Sequence, residues 1–503
     1  MVDTLKIKKI NHAHIKIECN QGIAYELGEE FSFFVENYKY MPTFRNGLWD
    51  GKIKLFDSRT KLLPSGLVSH LEDFAKNRNY KIDYVESAQY GNPNVTNDIP
   101  AKNIMEFIKT LKLTLGGKPI EIYDYQFNAV CHGLKNKNAV MISPTGSGKS
   151  LIQYVLARYY LSMLNDYKGS KKVLIIVPTT SLVEQMYDDF RDYGMLVENG
   201  CHRIYSGKDK DNITAGIVVS TWQSIYKLPK KWFEQFGMVI GDETHLFKAK
   251  SLSSIITKLT EAEYRIGVSG TLDGSLVNEL VLQGHFGPIY KVTKTKELQK
   301  RKVLSNINIS VLSLEYPPEI RKSLVKTEYQ KEIDFIVTNK TRLKFVKNLA
   351  KSLKGNTLVL FQFVEKHGKP LHEQIKDSVD TQRKVFFVYG GVDAKDRELI
   401  RKIVETQSDA IIVASYQTFG TGINIKNIHN IILASPSKSQ IRVLQSIGRG
   451  LRISDNKEPL QLYDICDDMH WGKYLNYALK HSVERCTIYD REEFPWKIYN
   501  IKL

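Results

Sequence analysis

The fold of this chain is decided by residues 139–164, AVMISPTGSGKSLIQYVLARYYLSML. The first four residues of this stretch form a short apolar run that is typical of a buried strand, and residues 151–164 have the apolar-rich pattern of a helix. A glycine-rich turn, GSGKS, joins the two segments. A strand that passes through such a turn into a helix is the first unit of an α/β fold with a parallel sheet.

The turn has the composition of a phosphate-binding loop (P-loop). Backbone N–H groups of such a turn point at an anion, and the N-terminus of the following helix favours negative charge. We expect Lys149 to reach the β- and γ-phosphates of ATP and the Ser150 hydroxyl to ligate Mg²⁺. The predicted nucleotide-binding residues are Ser143, Pro144, Thr145, Gly146, Ser147, Gly148, Lys149 and Ser150. Ser143 stands where the usual motif has Gly or Ala, and a purely structural turn is the alternative.

A second polar pair follows another apolar run. Residues 238–241 (MVIG) predict a strand that ends immediately before Asp242 and Glu243. Open α/β sheets bind their ligands at the carboxyl ends of strands, so we expect this pair at the catalytic edge. There Asp242 would hold Mg²⁺, and Glu243 would orient and deprotonate the attacking water. An Asp-Glu pair that only forms a solvated turn is the alternative.

A third polar segment, QSIGRGLR at residues 445–452, lies far along the chain from the other two. Arg449 and Arg452 are three residues apart and therefore share one face of a helix. Arginine fingers neutralise the charge that develops on a transferred γ-phosphoryl group, and we predict this catalytic role for both residues. A basic helix face that pairs with surface acids is the alternative.

Together these segments resemble the motifs of superfamily 2 helicases. Further matches are residues 177–185 (VPTTSLVEQ), 220–223 (STWQ), 269–271 (SGT) and 420–424 (GTGIN). The motifs keep the order and the approximate spacing of that family from about residue 120 to residue 455. As a whole, the sequence is similar to the recombination and branch-migration helicases of T-even-type bacteriophages.

The resemblance implies roles for residues on the nucleotide side of the motor. Gln126 would read the adenine edge by hydrogen bonds, with a buried structural glutamine as the alternative. The sequence leaves open whether Tyr123 or Tyr125 stacks on adenine. In the motif at residues 420–424, Asn424 stands where many relatives carry Asp, which leaves its part in coupling open.

The resemblance also implies contacts with a nucleic-acid strand and a coupling element. Backbone amides that bind phosphates would make these contacts tolerant of sequence. The residues that mark the strand-binding segments are Thr179, Thr221 and Gly422. The residues that would couple hydrolysis to movement are Ser269, Thr271 and Gln445. A simple turn at residues 269–271 is the alternative.

The charge of the chain favours a polyanionic partner. Its 503 residues include 72 Lys and Arg against 55 Asp and Glu, a net charge of +17. For a motor the natural polyanion is nucleic acid, although a basic surface that only maintains solubility is the alternative. No apolar run approaches the roughly 18 residues of a membrane span. Five scattered cysteines without a C-x-x-C pair predict a reduced, cytoplasmic protein, and the resemblance implies the cytoplasm of a bacterial host.

The first hundred residues lack phosphate chemistry and predict a small α+β domain rich in hairpins. Tight-turn signals occur at residues 46–47 (NG) and 50–51 (DG). Six aromatic residues alternate here with basic ones, namely Phe33, Phe34, Tyr38, Tyr40, Phe44 and Trp49. We expect most of the six in the core of the domain, with base stacking as the alternative. Because small N-terminal domains of related helicases contact duplex DNA, the basic residues Arg45 and Lys52 are the predicted contacts.

The predicted fold class is α/β, with two RecA-like parallel-sheet lobes in tandem and a small α+β N-terminal domain. The basis is a series of apolar strand-like runs that alternate with helical segments, twice along the chain. The predicted boundaries are 1–100 for the N-terminal domain, 101–290 for lobe 1, 291–345 for a basic and helical connection, 346–466 for lobe 2, and 467–503 for a C-terminal tail packed on lobe 2. Lobe 1 would hold ATP, and lobe 2 would supply the arginine fingers.

We therefore predict an ATP-dependent DNA helicase that uses ATP and Mg²⁺ to translocate on and remodel branched DNA. The resemblance implies fork regression, Holliday-junction branch migration and removal of D-loops or R-loops during replication, recombination and repair. It implies branched or duplex DNA, RNA–DNA hybrids and single-strand binding or recombination proteins as partners, and no membrane. Two alternatives stay open: a duplex translocase that does not separate strands, and an ATP-switched annealing or binding module.

Overall fold

The computed structural model describes residues 4–35, 38–86, 90, 96–164, 171–247, 250–272, 275–422, 425, 427–437, 439–451 and 459–503. The chain forms two compact units. The first is Met1–Ser143 with Gly148–Val292, and the second is Pro144–Ser147 with Thr293–Leu503. No helix in the described part of the chain is long and apolar enough to cross a membrane.

The first unit begins with a small mixed α/β region. Its strands are β1 (Thr4–Lys9), β2 (His14–Glu18), β3 (Ser32–Phe34), β4 (Lys52–Lys54), β5 (Leu62–Pro64) and β6 (Lys81–Val85). Its helices are α1 (Gln21–Glu30), α2 (Pro42–Arg45) and α3 (Val68–Asn77). Four strands form a sheet in the order β5-β2-β1-β6, in which only β1 and β6 are parallel, and β3 pairs with β4 in a separate antiparallel ribbon. Aliphatic side chains of the sheet and of α1 and α3 fill the core, including Leu5, Ile15, Leu27 and Leu71.

The rest of the first unit is an α/β lobe. Its strands are β7 (Thr114–Leu115), β8 (Lys118–Pro119), β9 (Asn138–Ile142), β10 (Lys172–Val177), β11 (Cys201–Ile204), β12 (Ile217–Thr221), β13 (Phe236–Asp242), β14 (Tyr264–Ser269) and β15 (Ile289–Lys291). Its helices are α4 (Ala101–Thr110), α5 (Asp124–Asn136), α6 (Lys149–Met163), α7 (Thr180–Asp192), α8 (Val197–Gly200), α9 (Trp222–Ile225), α10 (Lys230–Phe233), α11 (Lys250–Lys258) and α12 (Leu276–Phe286).

Seven of these strands form one parallel sheet in the order β11-β12-β10-β13-β14-β9-β15. The central strands read as continuous apolar runs, such as KVLIIV in β10, because helices cover both faces of a parallel sheet. The small N-terminal region packs on this lobe through α12. Leu280 enters the N-terminal core, and His70 Nε2 is hydrogen-bonded to Gln283 Oε1 at 3.0 Å.

The second unit contains another α/β sheet. Its strands are β16 (Ile307–Glu315), β17 (Thr357–Phe361), β18 (Val385–Val388), β19 (Ile411–Ser415), β20 (Asn430–Leu433), β21 (Leu460–Asp468) and β22 (Trp496–Lys502). Its helices are α13 (Thr295–Lys300), α14 (Pro318–Ser323), α15 (Tyr329–Thr338), α16 (Lys340–Ser352), α17 (Lys369–Ser378), α18 (Ala394–Thr406), α19 (Tyr416–Gly422), α20 (Gln440–Gly450) and α21 (Tyr477–Arg491). The seven strands are parallel in the order β18-β19-β17-β20-β21-β16-β22. The predicted fold class, two RecA-like parallel-sheet lobes in tandem behind a small N-terminal region, is confirmed.

Two strands of the second sheet come from segments that the sequence analysis placed outside lobe 2. Strand β16 lies within the predicted connection, 291–345, and β22 lies within the predicted tail. They pair with each other, and β16 also pairs with β21. Strand β16 buries Ile307, Ile309 and Val311 at alternate positions, but the lysine-rich stretch upstream of it dominates the composition of this segment. The tail therefore contributes the edge of the sheet as well as helix α21.

The expectation that most of the six N-terminal aromatic residues belong to the core is wrong. All six lie in the described part of the chain, and none of them is buried. Phe34 is 51% exposed and Tyr40 is 73% exposed, whereas Phe33 packs at the margin of the core. The core is already filled by aliphatic residues and by Phe31, Phe56 and Phe74. The six rings therefore lie at the margin of this core or outside it.

A buried ion pair fixes α21 on the second sheet. The Arg485 guanidinium is bound by the Asp464 carboxylate, with Nε donating to Oδ2 at 2.8 Å, and both side chains are almost fully buried. The Tyr489 hydroxyl also donates to Asp464, and Arg485 donates to the Ser437 carbonyl oxygen. Because every charge in this group is paired, the buried arrangement is tolerated.

Replacing Arg485 by alanine would leave the Asp464 carboxylate buried without its cation. We expect the free energy of unfolding of the second unit to fall by about 3–5 kcal/mol, measured by urea denaturation. Lys369→Ala is the control, because it breaks an exposed pair with Glu365 and should cost less than about 1 kcal/mol. Equal losses in the two variants would contradict this account of the pair.

Candidate active site

The predicted site residues of lobe 1 converge on one edge of its sheet. Asp242, Ser269 and Thr221 are the last residues of β13, β14 and β12, and Thr179 follows β10 by two residues. The P-loop follows β9 in the same sheet. Since all these strands run parallel, their carboxyl ends meet at the same edge, where open α/β sheets bind their ligands.

Two glycines give the P-loop its backbone path. Gly146 has a φ of +86° and Gly148 a φ of +79°, in the left-handed region that strains any other residue. Helix α6 begins at Lys149, directly after Gly148, so its first N–H groups face the loop. A Cβ atom added to Gly148 would lie 2.3 Å from Nε2 of Gln126. The loop is therefore closely packed against the side chain that was predicted to read adenine.

The two polar side chains at the start of α6 already have partners in the protein. Lys149 Nζ donates a hydrogen bond to the Ser143 carbonyl oxygen at 3.2 Å. The Ser150 Oγ atom lies 2.8 Å from the Tyr193 hydroxyl oxygen. A nucleotide phosphate or a cation would compete with these contacts. No sequence signal pointed to Tyr193.

Gln126 is buried and takes part in the start of α5. Its Oε1 atom accepts a hydrogen bond from the Tyr123 backbone N–H at 3.0 Å, which holds the side chain against the first turn of the helix. The rings of Tyr123 and Tyr125 are stacked, with their centroids 5.5 Å apart. Tyr123 is 47% exposed and Tyr125 only 6%. Of the two tyrosines, only Tyr123 offers a large exposed surface.

Asp242 is buried beside two charged neighbours. Burial and the adjacent Glu243 carboxylate raise the pKa of Asp242, and the Lys149 ammonium opposes this shift. Its Oδ1 atom accepts a hydrogen bond from Gln153 Nε2 at 3.2 Å. Gln153 was missed by the sequence analysis, and the available signal was a single amide in an otherwise apolar helix face. An ionised Asp242 is costly in this environment unless a cation is present, so the position fits a metal ligand.

Glu243 has a left-handed backbone, with a φ of +50°, immediately after the strand. Its Oε2 atom is buried and has no hydrogen-bond partner in the described part of the chain. His245 Nδ1 lies 3.4 Å from this oxygen and 3.1 Å from Ser269 Oγ, and Ser269 Oγ donates to the Thr271 carbonyl oxygen. Polar contacts therefore connect the Glu243 carboxylate to the segment of residues 269–271. The sequence analysis did not assign this bridge to His245.

The predicted DNA-contacting threonines use their hydroxyl groups locally. Thr179 caps α7 by accepting from the Leu182 N–H, and Thr221 Oγ1 lies 2.9 Å from Ser224 Oγ. Gly422 is the last residue of α19. In the N-terminal region, Arg45 and Lys52 fall on α2 and β4.

The structure describes only part of the two motifs at residues 420–424 and 445–452. Gln445 and Arg449 belong to α20, four positions and therefore about one helical turn apart. Arg452 and Asn424 lie outside the described residues.

Family models match three consecutive parts of the chain. The model described as DNA helicase UvsW, N-terminal, matches residues 4–85. The model of the type III restriction enzyme res subunit matches residues 102–274, and the helicase conserved C-terminal domain matches residues 340–454. With the P-loop and the acidic pair at one sheet edge, these matches define an ATP-hydrolysing helicase of superfamily 2.

Individual relatives extend the comparison over the whole length. The ATP-dependent DNA helicase uvsW of Enterobacteria phage T4 is 38% identical, covering 99% of this chain and all of the relative. The crystal structure of T4 UvsW is 37% identical, covers 99% of both chains and superposes with a TM-score of 0.52. The chain therefore belongs to the UvsW family of ATP-dependent DNA helicases. It uses ATP and acts on DNA.

A more distant structure shares the fold alone. A fragment of a putative HsdR subunit of a type I restriction enzyme from Vibrio vulnificus is 16% identical, with a TM-score of 0.57. The similarity covers 88% of this chain and 85% of that fragment.

Gly148→Ala tests the shape of the P-loop. We expect nucleotide affinity to fall at least about tenfold, because a left-handed alanine costs about 1–3 kcal/mol and its Cβ would meet Gln126. A fluorescent ATP analogue measures the affinity. Gly28→Ala is the control, since a Cβ added there meets no described atom within 4 Å, and it should bind as the parent does. Parental affinity in Gly148→Ala would contradict the loop geometry.

Proposed function

We propose that this helicase remodels branched DNA, by fork regression, Holliday-junction branch migration and removal of D-loops and R-loops in recombination and repair. The observation that supports this proposal is the N-terminal region, which adds exposed basic residues such as Arg45 to the two parallel-sheet lobes. A motor with a DNA-binding surface outside its lobes can hold one arm of a branch while it moves along another. RNA–DNA hybrids and single-strand binding or recombination proteins are the further proposed partners. Since the relative comes from a phage, we place the activity in the cytoplasm of an infected bacterium.

In the proposed hydrolysis, Lys149 binds the β- and γ-phosphates and Glu243 positions the attacking water. The buried Oε2 atom of Glu243 suits this role, because it can accept a proton from water and His245 lies beside it. Ser150 and Asp242 would hold Mg²⁺, which neutralises phosphate charge when bound. Asp242 is buried at the carboxyl end of β13, where a bound cation would favour its ionised carboxylate.

We assign adenine stacking to Tyr123 rather than Tyr125, on the basis of its exposed ring. Gln126, three residues along the same segment, reads the adenine edge in this proposal. The remaining nucleotide-binding residues line the loop from Ser143 to Gly148, where backbone N–H groups bind phosphate oxygens. Arg449 and Arg452 act as arginine fingers during the transfer of the γ-phosphoryl group.

Coupling of hydrolysis to movement is assigned to Ser269, Thr271 and Gln445. The supporting contacts run from Glu243 through His245 to Ser269, and from Ser269 to Thr271. A movement of the Glu243 carboxylate during hydrolysis would therefore shift His245 and, through it, the segment of residues 269–271. Such a contiguous polar network is a physical route for coupling between two sites.

The proposed DNA contacts combine backbone and side-chain groups. The hydroxyls of Thr179 and Thr221 already serve local structure, so these segments and Gly422 would bind phosphates through N–H groups, without reading sequence. Arg45 and Lys52 would contact the duplex arm. Their charge makes this part of the binding free energy dependent on salt.

Arg452→Ala tests the arginine-finger assignment. We expect ATP affinity to be retained and turnover to fall by about 10³-fold or more, because the transition-state charge loses its counterion. Lys149→Ala should lose binding as well as turnover. Arg491→Ala, an arginine on the exposed face of α21, is the control and should turn over normally. Normal ATP turnover in Arg452→Ala would contradict the assignment of Arg452 as an arginine finger.

Steady-state ATPase at fixed salt tests the substrate. The nucleic acids compared are none, single-stranded DNA, linear duplex, a four-way junction and an RNA–DNA hybrid. We expect the strongest stimulation with the junction, because two DNA-binding parts of the enzyme can then be engaged together. Equal stimulation by linear duplex would favour a duplex translocase. If no nucleic acid stimulated hydrolysis, the motor mechanism would fail and an ATP-switched binding module would replace it.

A further inference from the structure

The N-terminal region carries an exposed apolar surface that has no role in the proposed hydrolysis or in the DNA contacts assigned above. The ribbon of β3 and β4 bears a segment, residues 38–49, that we call the tip. Within the tip, Tyr40 is 73% exposed and Leu48 is 78% exposed. Phe34, on the ribbon below the tip, is 51% exposed. Single exposed apolar residues are normal in folded proteins, but several on one short segment mark a binding surface.

The tip is held in shape by its own aromatic cluster. The Tyr38 ring stacks on Phe34 with centroids 4.7 Å apart and meets Phe44 edge-on, also at 4.7 Å. Gly51 is necessary for this packing, because its φ is +79° and an added Cβ would lie 2.2 Å from the Tyr38 ring. Trp49 Nε1 donates to the Lys52 carbonyl oxygen and closes the segment. Tyr40 and Leu48 are therefore presented on an ordered support.

Two basic side chains lie near the tyrosine rings of the tip. The Arg45 guanidinium lies 6.0 Å from the Tyr40 ring centroid, and Lys39 lies 6.0 Å from the Tyr38 centroid. Neither cation forms an ion pair with any residue that the structure describes. By contrast, Lys52 and Lys54 are each paired with a carboxylate, on Glu29 and Asp50. Arg45 and Lys39 can thus meet an anionic partner without giving up an ion pair, whereas Lys52 would exchange Glu29 for a phosphate.

We propose that the tip stacks on unpaired bases of DNA at a branch point, with Tyr40 as the principal platform and Arg45 and Lys39 on the flanking phosphates. Nucleobases stack on aromatic faces without regard to sequence, and nearby cations follow the backbone. Base faces are covered inside a duplex, so a stacking platform of this kind binds where pairing is interrupted. The inference rests on the proposed function, since it explains how this helicase would recognise the branch.

The test measures DNA binding by the full-length protein without ATP, at fixed salt. One probe is a fork with a short single-stranded gap at the branch that contains 2-aminopurine, and the other is a fully paired linear duplex. Tyr40→Ala should lower affinity for the gapped fork by about tenfold and remove the 2-aminopurine quenching that stacking produces. Tyr40→Phe, which keeps the aromatic face, should retain both signals.

Tyr25→Ala is the matched control, because Tyr25 is 70% exposed on α1 of the same region but lies outside the tip. It should bind both probes as the parent does. The proposal is overturned if Tyr40→Ala matches Tyr25→Ala on the gapped fork. It is also overturned if Tyr40→Ala loses equal affinity on the linear duplex, because the surface would then contact only the backbone. Melting curves of the variants establish that each one is folded.

The binding result for Tyr40→Ala can be distinguished from the ATPase result that tests the proposed function. Loss of quenching in Tyr40→Ala together with an ATPase that does not prefer junctions would support the tip as a base-stacking surface and reject branch remodelling. Junction-specific ATPase together with unchanged binding by Tyr40→Ala would support branch remodelling and reject the role of the tip.

Discussion

The parallel alignment of the strands in lobe 1 is the constraint on which the candidate active site depends. Because β9, β13 and β14 run in the same direction, their carboxyl ends share one edge of the sheet. Residues far apart in sequence meet there. Lys149 begins the helix after β9, Asp242 ends β13, and Gln153 on that same helix donates to Asp242. Burial of the apolar strands thus supplies both the stability of the lobe and the position of its charged groups.

The fold was largely predictable where strands are apolar runs that end in a polar motif, as in β9 and β13. The sequence analysis placed β16 and β22 outside lobe 2, because the basic segment of residues 291–302 precedes β16 and β22 is largely exposed. At the site, residue types and spacing predicted Lys149 and Asp242 as a pair. The bridge from Glu243 through His245 to Ser269 depends on the packing of β13 against β14. No pattern within one segment could indicate it.

In the N-terminal region, amino-acid composition did not predict whether the aromatic residues lie in the core or on the surface. Aromatic residues usually fill cores, and the sequence alone cannot say whether a core is already full. In this region, aliphatic residues of the sheet and helices occupy the interior, so the remaining rings pack on each other outside it. An exposed aromatic cluster flanked by cations is chemically suited to nucleic acid. The position of these rings on the surface thus depends on which neighbouring residues fill the core, and the rings themselves do not determine it.

We propose that ATP is hydrolysed at the carboxyl edge of the first sheet, where Asp242 ends β13 and Glu243 follows it. A crystal structure of the protein with Mg²⁺ and a non-hydrolysable ATP analogue tests it most directly. The account predicts the γ-phosphate beside Lys149 Nζ, the metal on Ser150 and Asp242, and a water on Glu243. A nucleotide bound away from this edge, or a metal held by other residues, would contradict it.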